Sequence, residues 1–280
     1  MLGMNISIYL FIIFLSCSCL ALFPSEVAIL MCMIGQARKH DLDVPYDRII
    51  MDCGQNNYRR YIDVGTVQQR LEEKCTGLST ALVGLHAMTG SDFTSCFYNK
   101  GKVAALSLLE HGEAHGLVEA FQCLGQEEEL ETSRFEIFVA GLYGFRNCSV
   151  LNVARRQKLY QLAGWKKGQK PDPKKMQQID SALLPPCLNT MKLKIARVQH
   201  VSKIWTRATA AKPSEGLDPL QSGWKKDEGG HLVPIWYRGP ALPENVQLIE
   251  EIEEEQLEVE ADATEEVDYT SSSDEDEEEE

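Results

Sequence analysis

Residues 85–110 read LHAMTGSDFTSCFYNKGKVAALSLLE. An apolar helical segment ends at Thr89-Gly90, a buried-looking acid follows at Asp92, and Lys100-Gly101-Lys102 opens a second apolar helix. A carboxylate beside a tight turn suits Mg2+, which takes oxygen ligands and keeps several waters. Ser91-Asp92 also suits a helix N-cap, and for this dipeptide alone the cap is the simpler reading. The Lys-Gly-Lys turn brings unpaired backbone N–H groups and two cations to a helix start, an arrangement that attracts phosphate. Taken alone, it equally describes an ordinary corner between helices.

Upstream, residues 27–34 (VAILMCMI) form a continuous apolar run of strand length, which fits a strand buried on both faces. Residues 48–53 (RIIMDC) and 58–64 (YRRYIDV) flank a Gly54-Gln55-Asn56-Asn57 turn signal, so 48–64 reads as a hairpin. From Thr66 the period becomes helical, through Val67, Leu71, Cys75, Leu78, Leu82, Leu85 and His86. Further helices are expected over 103–109, 135–143 and 150–162. Residues 164–173 read as a Lys-rich linker with two prolines. The strongest helix spans 188–208, with Leu188, Met191, Ile195, Val198, Val201 and Trp205 on one stripe. Lys194, Arg197, Lys203 and Arg207 lie largely off that stripe. A last strand at 231–237 is limited to a sheet edge by Pro234.

Charge is segregated. The net charge of −14 conceals 18 acids and no base within 250–280, leaving 24 acids against 28 bases in 1–249. Residues 154–212 hold 14 Lys or Arg and two acids, Asp172 and Asp180. A basic region of this kind suits a polyanion such as nucleic acid, and equally a solvated helical face whose counter-charge is the tail. The tail cannot bury a core and is expected to be disordered, available to basic partners or to the chain's own basic region. Ser272 and Ser273 precede acids, a context that suits acid-directed kinases, although a purely solubilising tail accounts for the same residues.

Nine scattered cysteines, with no Cys-x-x-Cys and no zinc spacing, read as reduced and mostly buried thiols of a reducing compartment. His111 and His115 have helical ligand spacing, but Gly112 and Gly116 weaken that helix, and they read as surface histidines. The chain has no P-loop, no Gly-x-Ser-x-Gly and no dinucleotide fingerprint. Residues 6–23 are almost wholly apolar. They fit a signal peptide, a membrane anchor or an unrelated apolar start to an incomplete chain. Asn147-Cys148-Ser149 is a sequon that matters only for a secreted chain. Membrane contact is expected only if 6–23 is an anchor. A nuclear or cytoplasmic location is favoured over the secretory pathway.

The segment His86-Ala-Met-Thr-Gly-Ser-Asp92, with Ser95, Phe97 and Lys100-Gly101-Lys102, resembles a motif of a poorly characterised animal family. That family is often linked to mobile elements and carries a PIN-like, flap-endonuclease-type domain. The resemblance runs from about residue 24 to 243. It includes Arg59-Arg60-Tyr61-Ile62-Asp63-Val64, residues 138–155, Leu184-Pro185-Pro186 through Trp205, Gly223-Trp224 and Val233-Pro-Ile-Trp236. It implies an α/β fold: an incomplete PIN-like domain with a short, partly parallel sheet over 24–163, preceded by the apolar 1–23. A basic helical region (164–249) and the acidic tail (250–280) follow. It also implies acids for metals at Asp92 and Glu26, and a backbone-binding turn at Lys100, Gly101 and Lys102.

The departures weaken catalysis. Pro24-Ser25-Glu26 stands where relatives read Asp-Thr-Asp, and the N-terminal acids of a PIN-like domain have no counterpart. Two-metal phosphodiester cleavage needs several carboxylates around ions about 4 Å apart. The expectation is a catalytically inactive PIN-like protein that retains nucleic-acid backbone binding and needs no cofactor. The alternatives are a Mg2+-dependent nuclease using Glu26 and Asp92, and a non-enzymatic interaction protein that is secreted or membrane-anchored.

Overall fold

The computed structural model describes Leu30, Ile34 and residues 50–238, except 54–58, 112–115, 128, 167–171, 208–211 and 213. All of these belong to one compact unit, Met1–Arg238. Residues 1–23, Glu26, the Gly54 turn, His115, and the tail with Ser272 and Ser273 lie outside the described residues. No described helix is long and apolar enough to cross a membrane.

Strands β1 (Ile50–Cys53) and β2 (Arg60–Asp63) pair antiparallel, Met51 opposite Ile62 and Asp52 opposite Tyr61, as expected for the hairpin. Alternation puts Cys53 and Ile62 into the core and leaves Ile50 and Tyr61 exposed. Asp63 ends β2 and caps helix α1 (Val64–Lys74), its carboxylate accepting from the Thr66 N–H at 2.9 Å and from the Thr66 hydroxyl at 2.9 Å. Val64, Val67 and Leu71 are the buried apolar face of α1.

Helix α2 (Leu78–Thr89) starts at Gly77, which has no capping side chain. Glu72 of α1 supplies the cap instead, accepting from the Gly77 N–H at 2.9 Å and the Ser79 N–H at 3.1 Å. Almost every residue of α2 is buried, so it is the central helix. The remaining helices are α3 (Lys102–Glu110), α4 (Leu117–Cys123), α5 (Thr132–Leu142), α6 (Leu151–Leu162), the short α7 (Pro173–Gln177) and the 19-residue α8 (Leu188–Thr206). Helices α1, α3, α4 and α8 all pack against α2. The α2–α4 approach is close: a Cβ at Gly84 would stand 2.7 Å from the Phe121 carbonyl oxygen. Phe121, Phe135 and Phe138 are fully buried together, and Met191, Ile195 and Val198 bring α8 into the same core. A second antiparallel pair, β3 (Trp224–Lys226) with β4 (Leu232–Pro234), follows α8. It is tied back by the Arg197 guanidinium, which donates to the Gly223 carbonyl at 3.1 Å and the Ile235 carbonyl at 2.9 Å.

The result is a mixed α/β chain, dominated by helices. Several expectations are corrected. Leu30 and Ile34 have helical, not extended, backbone and are both buried. They are four apart, and a short all-apolar run does not distinguish a buried helix from a buried strand. Among the described residues both sheets are antiparallel, so the partly parallel sheet is not found there. Helices α4 and α7 and strand β3 were not expected; α4 follows Gly116, which sits at φ 58. Lys194 and Arg197 are buried rather than off the apolar face. The turn holding Ser95 and Phe97 covers the first, and the β3–β4 pair covers the second. Of the described cysteines, expected to be mostly buried, only Cys53 and Cys148 are.

Candidate nucleic-acid interface

Between α2 and α3 the chain makes two tight turns. In the first, Ser91 and Thr94 pair through backbone hydrogen bonds, and their hydroxyls meet at 2.8 Å. Thr94 is the inward anchor, donating to the Ala87 carbonyl at 2.6 Å. Asp92 and Phe93 are thereby turned outward. Asp92 is exposed, which corrects the expectation of a buried acid; Thr94 holds the inward position. In the second turn the Lys100 N–H donates to the Phe97 carbonyl at 3.2 Å. Phe97 points inward and Tyr98 outward, and Asn99 takes a left-handed φ of 51, a conformation Asn tolerates better than most residues.

Gly101 then begins α3. Its φ of −78 is open to any residue, no side chain caps the helix start, and a Cβ built on it would meet nothing within 4 Å. The start of α3 is therefore accessible, with backbone N–H groups and the positive end of the helix dipole directed outward.

The two lysines of the turn have different roles. The Lys102 ammonium folds back over the end of α2, donating to the Gly90 carbonyl at 2.5 Å, the Thr89 hydroxyl at 3.0 Å and the His86 carbonyl at 3.3 Å. It satisfies carbonyls that helix ends leave open. Lys100 lies 4.7 Å over the Tyr143 ring of the α5 terminus and remains half-buried. Burial, and then the charge of Lys158 on α6, hold its pKa below the ordinary lysine value. Arg155, also on α6, lies in the electrostatic range of Tyr143 and donates to the Pro185 carbonyl. The structure thus sets Tyr143 beneath Lys100 and the charge of Lys158 within its electrostatic range, and sequence carries no local signal for either.

His86 opens the motif but is structural. It is buried against Trp205 with ring centroids 5.5 Å apart, and burial, then Lys102, lower its pKa to about 3. It is neutral at physiological pH. His111 closes α3, its Nδ1 2.7 Å from the Ser107 carbonyl oxygen. Within the basic 154–212 stretch, Lys203 and Arg207 both pair with Glu127, at 2.8 and 2.7 Å. With Lys194 and Arg197 buried, all four cations expected off the apolar stripe of 188–208 are engaged within the fold.

Asp92 stands exposed at its turn, and among the described residues no three His, Cys, Asp or Glu side chains converge. Glu26 lies outside the described residues, and a two-metal centre needs several carboxylates. No family model, curated protein or solved structure matches the chain.

Proposed function

We propose that this protein binds the sugar-phosphate backbone of nucleic acid at the Lys100-Gly101 turn and Lys158 without cleaving it, as a degenerate PIN-like protein. The observation that carries the reading is the open start of α3 beside the Lys100 ammonium. Lys100 is strained electrostatically by burial and by Lys158. An incoming phosphate relieves the repulsion and accepts from backbone N–H groups of the uncapped helix start. Lys102 contributes through the scaffold, by fixing the end of α2, rather than as the principal phosphate contact.

The test is binding of the full chain to labelled DNA across a salt series. Each phosphate contact contributes about 0.9 to the slope of log affinity against log salt. Lys100→Ala with Lys158→Ala is expected to make that slope shallower by about 2. Unchanged affinity and slope would exclude this site. In the same preparation, Asp92→Ala is expected to bind at least as tightly as the unaltered chain, since it removes an exposed negative charge near the phosphates. Mg2+-dependent cleavage by the unaltered chain that disappears in Asp92→Ala would overturn the non-catalytic reading.

A further inference from the structure

We infer that the site takes single-stranded nucleic acid, with unpaired bases stacked on Phe93 and Tyr98. This rests on the backbone-binding reading of the same site and specifies its substrate class. Each of the two turns before α3 has one inward anchor and one outward ring. Thr94 and Phe97 are buried, whereas Phe93 is 64% exposed and Tyr98 51% exposed. The fold is served by the anchors, so the outward rings are not needed to hold the turns. A single exposed aromatic is ordinary. Two at the apices of consecutive tight turns, directly before an uncapped helix start with Lys100 beside it, form a stacking platform joined to a phosphate site.

The turns are braced from beneath, which fixes where both rings stand. Gly90 and Cys96 approach so closely that a Cβ on Gly90 would lie 2.9 Å from the Cys96 Cα, so 91–95 is a short excursion with closed ends. Lys194 of α8 donates to the Ser95 carbonyl and hydroxyl and lies 4.7 Å over the Phe97 ring. Preorganised rings of this kind accept any base, because every base has a flat face. A duplex keeps those faces inside its own stack, so only unpaired nucleotides can use them. The Asp92 carboxylate, exposed beside Phe93, repels phosphate and leaves that apex to a base.

The experiment compares three probes with the full chain at fixed salt: a short oligothymidine, an abasic strand of equal length and charge, and a blunt duplex. Oligothymidine is expected to bind tightest. Phe93→Ala with Tyr98→Ala is expected to weaken oligothymidine binding by about tenfold for each ring while leaving the abasic strand and the salt slope unchanged. Both rings are exposed, so an unchanged thermal melt confirms that the double variant folds. As a second readout, the added fluorescence of Phe93→Trp is quenched by oligothymidine and not by the abasic strand. Equal affinity for oligothymidine and the abasic strand, or no quenching, overturns the stacking inference and leaves backbone binding standing. Failure to bind any of the three at low salt overturns both.

Discussion

Phe121→Ala lowers the unfolding free energy by about 3–5 kcal/mol, measured from denaturant midpoints at constant slope. The ring is completely buried and meets two others edge-on, Phe135 at 5.4 Å and Phe138 at 4.7 Å between centroids. Truncation removes the ring's transfer free energy and its two aromatic contacts. It also leaves a cavity between α4 and α5 that neither helix can close. The backbone there is already fixed by the approach of Gly84 to the Phe121 carbonyl, so α4 cannot slide to fill the space. Domains are stable by roughly 5–15 kcal/mol in total, which makes this a large fraction. Phe121→Leu keeps most of the volume and is expected to cost well under half as much. A loss below about 1 kcal/mol for Phe121→Ala would mean that α4 does not stand in the core.

Helix α4 is also where sequence is least informative. Its seven residues are too few to establish a period, and Gly112 and Gly116 precede it. The β1–β2 pair, by contrast, announces itself through alternation and flanking turn residues. Helix α8 does so through a six-residue apolar stripe. At about 100° per residue Lys194 falls between Val201 and Trp205, inside the stripe itself; for Arg197, beside the stripe, a helical wheel shows only which residues share a face. It does not show that the 91–99 turns and the β3–β4 pair would cover the neighbouring faces as well. The site divides in the same way. Local order places Gly101 at a helix start beside Lys100, since a glycine opening a helix is visible in one dimension. The partition of roles between Lys100 and Lys102 is not visible there, and depends on which ammonium reaches the end of α2. Asp92 misses its expected buried place for a similar reason: Asp92 and Thr94 are both short and polar, and only the register of the turn decides that Thr94 faces the Ala87 carbonyl.

Lys194→Met is expected to remove a rise in stability with pH that the unaltered chain shows above neutrality. The Lys194 side chain is 5% exposed, and its ammonium is held over Phe97 and against Ser95. Burial is the main cause that lowers its pKa, to about 7, with Arg197 and Lys102 adding repulsion and Cys96 opposing them. In the unfolded chain the same amine keeps a pKa near 10.4. Between these values the unfolded state therefore binds more protons than the folded state, and stability must rise with pH. Below about 7 both states carry the proton, and the full cost of burying the charge is present. Toward the unfolded value both states lose the proton, and the cost disappears. Each pH unit inside the window is worth up to about 1.4 kcal/mol, so the rise across it amounts to a few kcal/mol. Methionine has similar length and no charge, so Lys194→Met flattens this part of the profile. It also gives up the hydrogen bonds to Ser95, at about 1–3 kcal/mol for a carbonyl left unsatisfied. The variant is thus expected to approach the unaltered chain at pH 6 and to fall behind it at pH 9. Thermal melts at the two pH values decide the matter. Parallel profiles for the two proteins would mean that Lys194 remains charged in the folded state throughout, held by Ser95 and the Phe97 ring more strongly than burial opposes it.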